Sequence, residues 1–274
     1  MDKKKEYKER PSQAARIMAS ARGASITEKQ LETLDDLIKR DKLTANQEKT
    51  KAELIAKRDA PPQLSEGAKT RVKEQFLADR FGINREFWSK ETDKGNECED
   101  ESIKLFAKVS GIFGIRKNEK QFESDFFKGT PDIITNDAVI DIKTSFSGST
   151  FPWFENELPE NAYFYQVQAY LHLTGRQNGF VAYCLTNSND DQIQDEVRRE
   201  AWRQKVIDPT DDQLDEIEKK VYSQMTFDHI NDGLRVKIYE VKRDDNIING
   251  MIERVKLCRV YYKELQNEIN NKIK

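Results

Sequence analysis

In the first third of the chain the apolar residues recur at helical spacing. Leu31, Leu34, Leu37 and Ile38 make one stripe, and Thr27 with Gln30 ahead of them is a capping-box pattern. A second helix is expected over Asn46–Lys57, with Leu54 and Ile55 apolar, and Pro61-Pro62 ends it. These two read as a hairpin with too little apolar surface to stand alone. It must pack on the main body, a partner chain or a substrate. Ser65 caps a third helix running to about Arg80, with Phe76, Leu77 and Phe81 as its apolar members. After a loop around Lys90–Lys94, a fourth spans roughly Asn96–Val109 on the stripe Ile103, Leu105, Phe106. Gly111 and Gly114 break the pattern. Residues 1–24 read as a flexible basic start.

The period then shortens. Phe126–Thr135 and Ala138–Thr144 are β-rich runs joined by the turn signal Asn136-Asp137. Asn161–Thr174 is an amphipathic helix closed by Gly175, and Phe180–Leu185 is a buried strand. Two charged helices split near Pro209 fill 190–226. Leu234–Val241 alternates as a strand, and a long helix over 245–272 closes the chain. The sum is a mixed α/β core with helical ends. A basic helical extension is expected over residues 1–64 and the main domain over 65–274.

Composition narrows the chemistry. Apolar residues are 36% and charged residues 35% of the 274, a wet surface around a modest core. No apolar run approaches the roughly 20 residues that span a bilayer. The charged start lacks the apolar centre of a secretion signal, so a soluble cytoplasmic protein is expected. Cys98, Cys184 and Cys258 are odd in number and far apart, which speaks against a disulfide framework, a zinc site or an iron–sulfur cluster. Two histidines, His172 and His229, cannot make a histidine-based metal site. Metal chemistry here must rest on carboxylates and hence on hard cations. The net charge of −3 hides an asymmetry: residues 1–90 hold 21 Lys and Arg against 15 Asp and Glu, and the remainder 25 against 34. A basic arm beside an acidic site and a pair of lysine-rich solvated helices fit that balance equally well.

The segment that carries chemistry is Gly129-Thr-Pro-Asp132 followed by Ala138-Val-Ile-Asp141-Ile-Lys143. Alternate side chains of a strand share a face, so Asp141 and Lys143 point one way and Ile140 and Ile142 into the core. A turn at 136–137 sets Asp132 opposite Asp141. Two carboxylates and an ammonium then meet on one sheet edge. Like charges so placed repel, which is a physical reason to expect a cation between them. A divalent metal, carboxylates and a lysine that orients water are what phosphodiester hydrolysis needs. Taken alone, Asp-x-Lys is a common surface ion pair and Pro-Asp is ordinary turn chemistry. The combination at matching register is rarer.

These residues resemble the PD-(D/E)xK nuclease superfamily. More narrowly, Gly129-Thr-Pro-Asp132-Ile-Ile with Val139-Ile-Asp141-Ile-Lys143-Thr144-Ser145 resembles the phage recombination exonucleases, the lambda exonuclease and YqaJ-type viral recombinase group. Lys94-Gly95-x-x-x-Glu99-x-x-Ser102-Ile103 is similar to its helical Gly-x-x-x-Glu motif, and Tyr165-Gln166-Val-Gln168-Ala-Tyr170 to its Gln-x-x-x-Tyr motif. The matching stretch is about residues 94–175. Asp141 stands where many members have Glu.

The resemblance implies a restriction-endonuclease-like core, a mixed sheet flanked by helices, behind an N-terminal helical extension. It implies Glu99, Asp132 and Asp141 as ligands of one or two Mg²⁺ ions, Mn²⁺ substituting, with the Ile142 carbonyl completing the shell. Glu97, Asp100 and Glu101 are acidic neighbours of Glu99; the spacing from Gly95 selects Glu99. Lys143 would position the attacking water, Gln166 support the site by hydrogen bonding, and Tyr170 pack or bond nearby. Thr144 and Ser145 are candidate phosphate donors. Arg116, Lys117 and Lys128 flank the hairpin and are candidates to hold a DNA end, against plain surface solvation. Trp153 is a candidate for base stacking, against ordinary packing.

Two activities share this site. One is an exonuclease on linear double-stranded DNA, 5′ to 3′, working as a ring-like homotrimer beside a single-strand annealing protein in phage recombination. The other is an endonuclease of restriction or junction-cleaving type. A third reading, from a different class, is an inert DNA-binding or assembly module.

Overall fold

The computed structural model describes residues 6–19, 26–60, 62–84, 90–112, 114–206 and 209–273. In chain order the helices and strands are α1 (Ala14–Met18), α2 (Glu28–Ile38), α3 (Ala45–Asp59), α4 (Glu66–Phe81), α5 (Lys90–Glu97), α6 (Glu99–Ser110), β1 (Phe122–Glu123), β2 (Lys128–Gly129), β3 (Ile133–Ile134), β4 (Ala138–Thr144), α7 (Asn161–Thr174), β5 (Asn178–Cys184), α8 (Asp190–Arg203), α9 (Asp211–Met225), β6 (Val236–Lys242) and α10 (Asp245–Ile273). No helix among the described residues is long and apolar enough to cross a membrane.

The chain divides into two compact units: Met1–Glu9 with Gln13–Arg85 and Asn249–Lys274, and Arg10–Ser12 with Glu86–Ile248. The division is not the one expected after residue 64, because α4 and most of α10 group with the N-terminal segments.

In the first unit α2 and α3 form the expected hairpin. Each starts at a full capping box, Thr27 with Gln30 and Thr44 with Gln47, and they bury Leu34, Leu37 and Leu54 between them. The basic start is more ordered than expected. Tyr7, Glu9, Ala14 and Ile17 are all buried, and Glu9 is fully enclosed with its carboxylate 2.7 Å from Arg71 of α4. A flexible start is therefore corrected for residues 6–19; residues 1–5 and 20–24 of that expected stretch lie outside the described residues.

The second unit is built on a four-stranded sheet in the order β3-β4-β5-β6. β3 and β4 are antiparallel, β4 and β5 parallel, β5 and β6 antiparallel. The parallel pair needs a crossover, and α7 supplies it. Val139, Val181 and Tyr239 face Val167 and Leu171 of α7 in one cluster, while Ile140 and Ile142 face Ile103 and Phe106 of α6 in another. Covered on both faces, β4 is buried from Ala138 to Ile142. Gly179 lets α7 lie close on β5: a Cβ there would stand 2.3 Å from Val167 Cγ1. α8 and α9, inserted between β5 and β6, share a small core of their own around Ile193, Val197, Ile217 and Val221.

Two expectations need correction here. Residues Lys90–Lys94, read as a loop, open α5. Phe126–Thr135 is not one run but two short strands around the turn Thr130-Pro131-Asp132.

Candidate active site

β4 is the element on which the site depends. Its register with β3 pairs Ile133 with Ile140 and Ile134 with Val139, so Asp132 comes opposite Asp141, the pairing expected from the turn at 136–137. Asp132 Oδ2 accepts a hydrogen bond from the Ile142 N–H at 2.7 Å, which fixes the carboxylate against the strand. Asp141, on the α7 face, is fully buried. Its Oδ1 accepts from Gln166 Nε2 at 2.9 Å. Its Oδ2 lies 2.8 Å from Lys143 Nζ yet receives no aligned hydrogen bond. Lys143 Nζ also donates to Gln166 Oε1 at 3.2 Å and sits 4.2 Å from the centre of the Tyr163 ring. Tyr163 and Gln166 are three apart on α7 and so share its inner face.

These side chains border a cleft of about 520 Å³, which Glu99, Thr144, Ser145 and Tyr183 also line. Glu99 opens α6, and its carboxylate pairs with Lys117 at 2.7 Å. Thr144 Oγ1 is taken up by Ser102 Oγ at 2.8 Å. Tyr170 does not line the cleft; its hydroxyl donates to the Thr130 carbonyl at 3.1 Å and ties the turn that carries Asp132 to α7. Arg116 is exposed and does not line the cleft. Lys128 pairs with Glu123 at 3.3 Å. Trp153 packs edge-on against Phe151 and donates from Nε1 to the Gly148 carbonyl, the packing role rather than the stacking one.

Burial dominates the electrostatics. Desolvation, then the neighbouring Asp141 charge, pushes the Asp132 carboxyl up to about 7. Asp141 is likewise raised by burial, with Lys143 acting against the shift. Burial works against the Lys143 charge too, but the Asp141 carboxylate outweighs it and the ammonium is held above its usual range. Two carboxylates that resist ionising side by side are a site short of positive charge.

The donor set fits a hard divalent cation. It is all oxygen, and the buried Asp141 Oδ2 keeps lone pairs that no donor uses. It is not closed: among the described residues no three Asp, Glu, His or Cys side chains converge on one point. Glu99 is drawn off by Lys117 instead.

Tyr163 and Tyr183 line the cleft, and Lys94, next to the lining Gly95, braces the chain beside it; none of the three was expected there. Lys94 of α5 is 1% exposed, donates to the Phe146 carbonyl at 2.9 Å and has its ammonium lowered to about 8 by burial. It fixes the chain just beyond Ser145. Tyr163 could have been found by its i−3 spacing from Gln166. Tyr183 could have been found by the alternation of β5.

No protein-family model matches the sequence, and no curated protein matches it. Solved structures do. A phage related exonuclease from Haemophilus somnus 129PT superposes with a TM-score of 0.66 at 24% identity, covering 97% of each chain. An alkaline exonuclease (LHK-Exo) from Laribacter hongkongensis superposes with a TM-score of 0.57 at 12% identity, covering 97% of this chain and 93% of that one. At these identities the likeness is one of fold: the mixed sheet, its flanking helices and the N-terminal helical part are shared along nearly the whole length.

Proposed function

We propose that this cleft hydrolyses DNA phosphodiester bonds with a bound divalent cation, and that the protein is an exonuclease on linear duplex. The observation that carries the reading is the trio of Asp132, Asp141 and Lys143: a half-buried and a fully buried carboxylate facing each other and an ammonium 2.8 Å from one of them, on the wall of an open cleft. Mg²⁺, or Mn²⁺ in its place, would be held by Asp132 and Asp141 with the Ile142 carbonyl, and by Glu99 once it leaves Lys117; one or two ions are compatible with so few ligands. Such a cation, when bound, lowers the pKa of water and offsets charge building on the phosphate.

The chain's own residues do the rest. Lys143, poised between Asp141, Gln166 and Tyr163, donates an aligned hydrogen bond to Gln166 and has N–H groups left to orient a water or bind a phosphate oxygen. Gln166 holds Asp141 and Lys143 at once, so neither can turn away.

The choice of exonuclease over endonuclease, and of 5′-to-3′ polarity, is supported by the motif resemblance and by a fold shared with two exonucleases. The resemblance also carries a ring-like trimer, a single-strand annealing partner and a cytoplasmic setting. The hydrolysis itself needs none of these.

The reading is tested by incubating 5′-phosphorylated linear, 5′-hydroxyl linear and covalently closed circular duplexes with Mg²⁺ and sizing the products over time. The linear forms should shorten from their ends while the circle stays intact. Prompt cutting of the circle would move the site to the endonuclease reading, and no cutting of any form would leave a DNA-binding module.

A further inference from the structure

Two hydroxyl groups in the cleft wall have no part in the hydrolysis described above. Ser145 and Tyr183 both line the cleft, are 5% and 8% exposed, and have hydroxyl oxygens without any hydrogen-bond partner. Their neighbours differ in this respect. Thr144 bonds Ser102, Tyr170 bonds the Thr130 carbonyl, and Tyr239 donates to the Glu155 carbonyl at 2.9 Å. A buried hydroxyl left unpaired carries a desolvation cost that a bound oxygen would remove.

The sheet register puts the two residues on the same face of the sheet, in the wall of one cleft. Tyr183 pairs with Lys143 across the parallel β4–β5 ladder, and Ser145 follows Lys143 by two residues, so all three side chains share a face. The Tyr183 ring is wedged edge-on between Tyr163 at 6.0 Å and Tyr239 at 5.9 Å, which fixes where its hydroxyl sits. Burial drives its phenol further above the usual range, so it stays a proton donor.

We propose that Ser145 and Tyr183 form an anion subsite beside Lys143 that takes a non-bridging oxygen of the DNA phosphate next to the one being cleaved. The inference rests on the nuclease reading. Hydroxyls of Ser and Tyr are ordinary phosphate donors and read no sequence, as suits an enzyme that must accept every nucleotide. Ser145 stands about 6.6 Å along the strand from Lys143, on the scale of one step of an extended nucleotide chain. The subsite thus lies beside the reacting phosphate rather than on it.

Full-length wild type, Ser145→Ala and Tyr183→Phe should be compared by kcat and KM on linear duplex with Mg²⁺, by Kd for a fluorescent duplex in EDTA, and by thermal melting. Each variant should raise KM and Kd about ten-fold, the loss of one charge-assisted hydrogen bond, while kcat changes by less than about two-fold. The melting temperature should hold or rise, because an unpaired hydroxyl adds nothing to the fold. Unchanged KM and Kd in both variants, or a fall in melting temperature in either, overturns the subsite. If wild type binds duplex but cuts none, the hydrolytic reading fails while the Kd values still decide the subsite. If wild type binds no duplex, both fail.

Discussion

Lys143→Ala lowers kcat on linear duplex by about 10³-fold, in the range lost when a positioned acid–base group is removed, and leaves KM within a few-fold. The residue contacts Asp141, Gln166 and Tyr163 together, and nothing else among the cleft-lining residues brings a cation to that point. Lys143→Arg does not rescue it. The larger, rigid guanidinium would hold to Asp141 and the Tyr163 ring but could not set a single N–H where the compact ammonium sets it. Removing one member of a buried ion pair ordinarily costs about 3–5 kcal/mol. Here the loss is smaller, because once Lys143 is gone burial favours the protonated form of Asp141 and no bare charge need remain. Steady-state kinetics with a parallel denaturant melt separates the two effects: activity falls by orders of magnitude and stability falls little.

The second large effect is on stability against pH. The Asp132 carboxyl is raised to about 7 in the folded protein, chiefly by burial and then by Asp141, from an ordinary value near 4. The folded state therefore binds this proton more tightly than the unfolded state. The associated stability is fully present below about pH 4 and is lost as pH rises through about 7. Without divalent cation the melting temperature falls by several degrees between about pH 5 and pH 8, the raised Asp141 carboxyl acting in the same direction. Asp132→Asn flattens that slope. Mg²⁺ added at the alkaline end restores the lost degrees, because a bound cation stabilises the ionised pair. The same linkage makes Mg²⁺ affinity weaken as pH drops below about 7. Melting curves across pH, with and without Mg²⁺, check all three.

The grouping of Asp132, Asp141 and Lys143 was legible in the sequence because it rests on short-range geometry. The Asn136-Asp137 turn sets the β3–β4 register, the register sets Asp132 opposite Asp141, and strand alternation adds Lys143. Helix caps were legible for the same reason: Thr27 with Gln30 is a local pattern and forms as written. What escaped was set by tertiary context. α5 was hidden because its buried residue at position 94 is a lysine, so no apolar stripe marks the helix; the Phe146 carbonyl and the Phe227 ring make that burial tolerable. The start of the chain was hidden because Glu9 and Arg71, polar by type, are enclosed as a pair 62 residues apart. The Glu99–Lys117 pair also depends on the fold, and composition alone could not show that the third carboxylate turns from the other two.

The central claim is that DNA is hydrolysed at the Asp132–Asp141 pair with a divalent cation. It is tested most directly by nucleotide release from a uniformly labelled linear duplex, with wild type and Asp141→Asn purified side by side, each in Mg²⁺ and in EDTA. Wild type should release nucleotides in Mg²⁺ alone. Release by Asp141→Asn at the wild-type rate, or by wild type undiminished in EDTA, would contradict it.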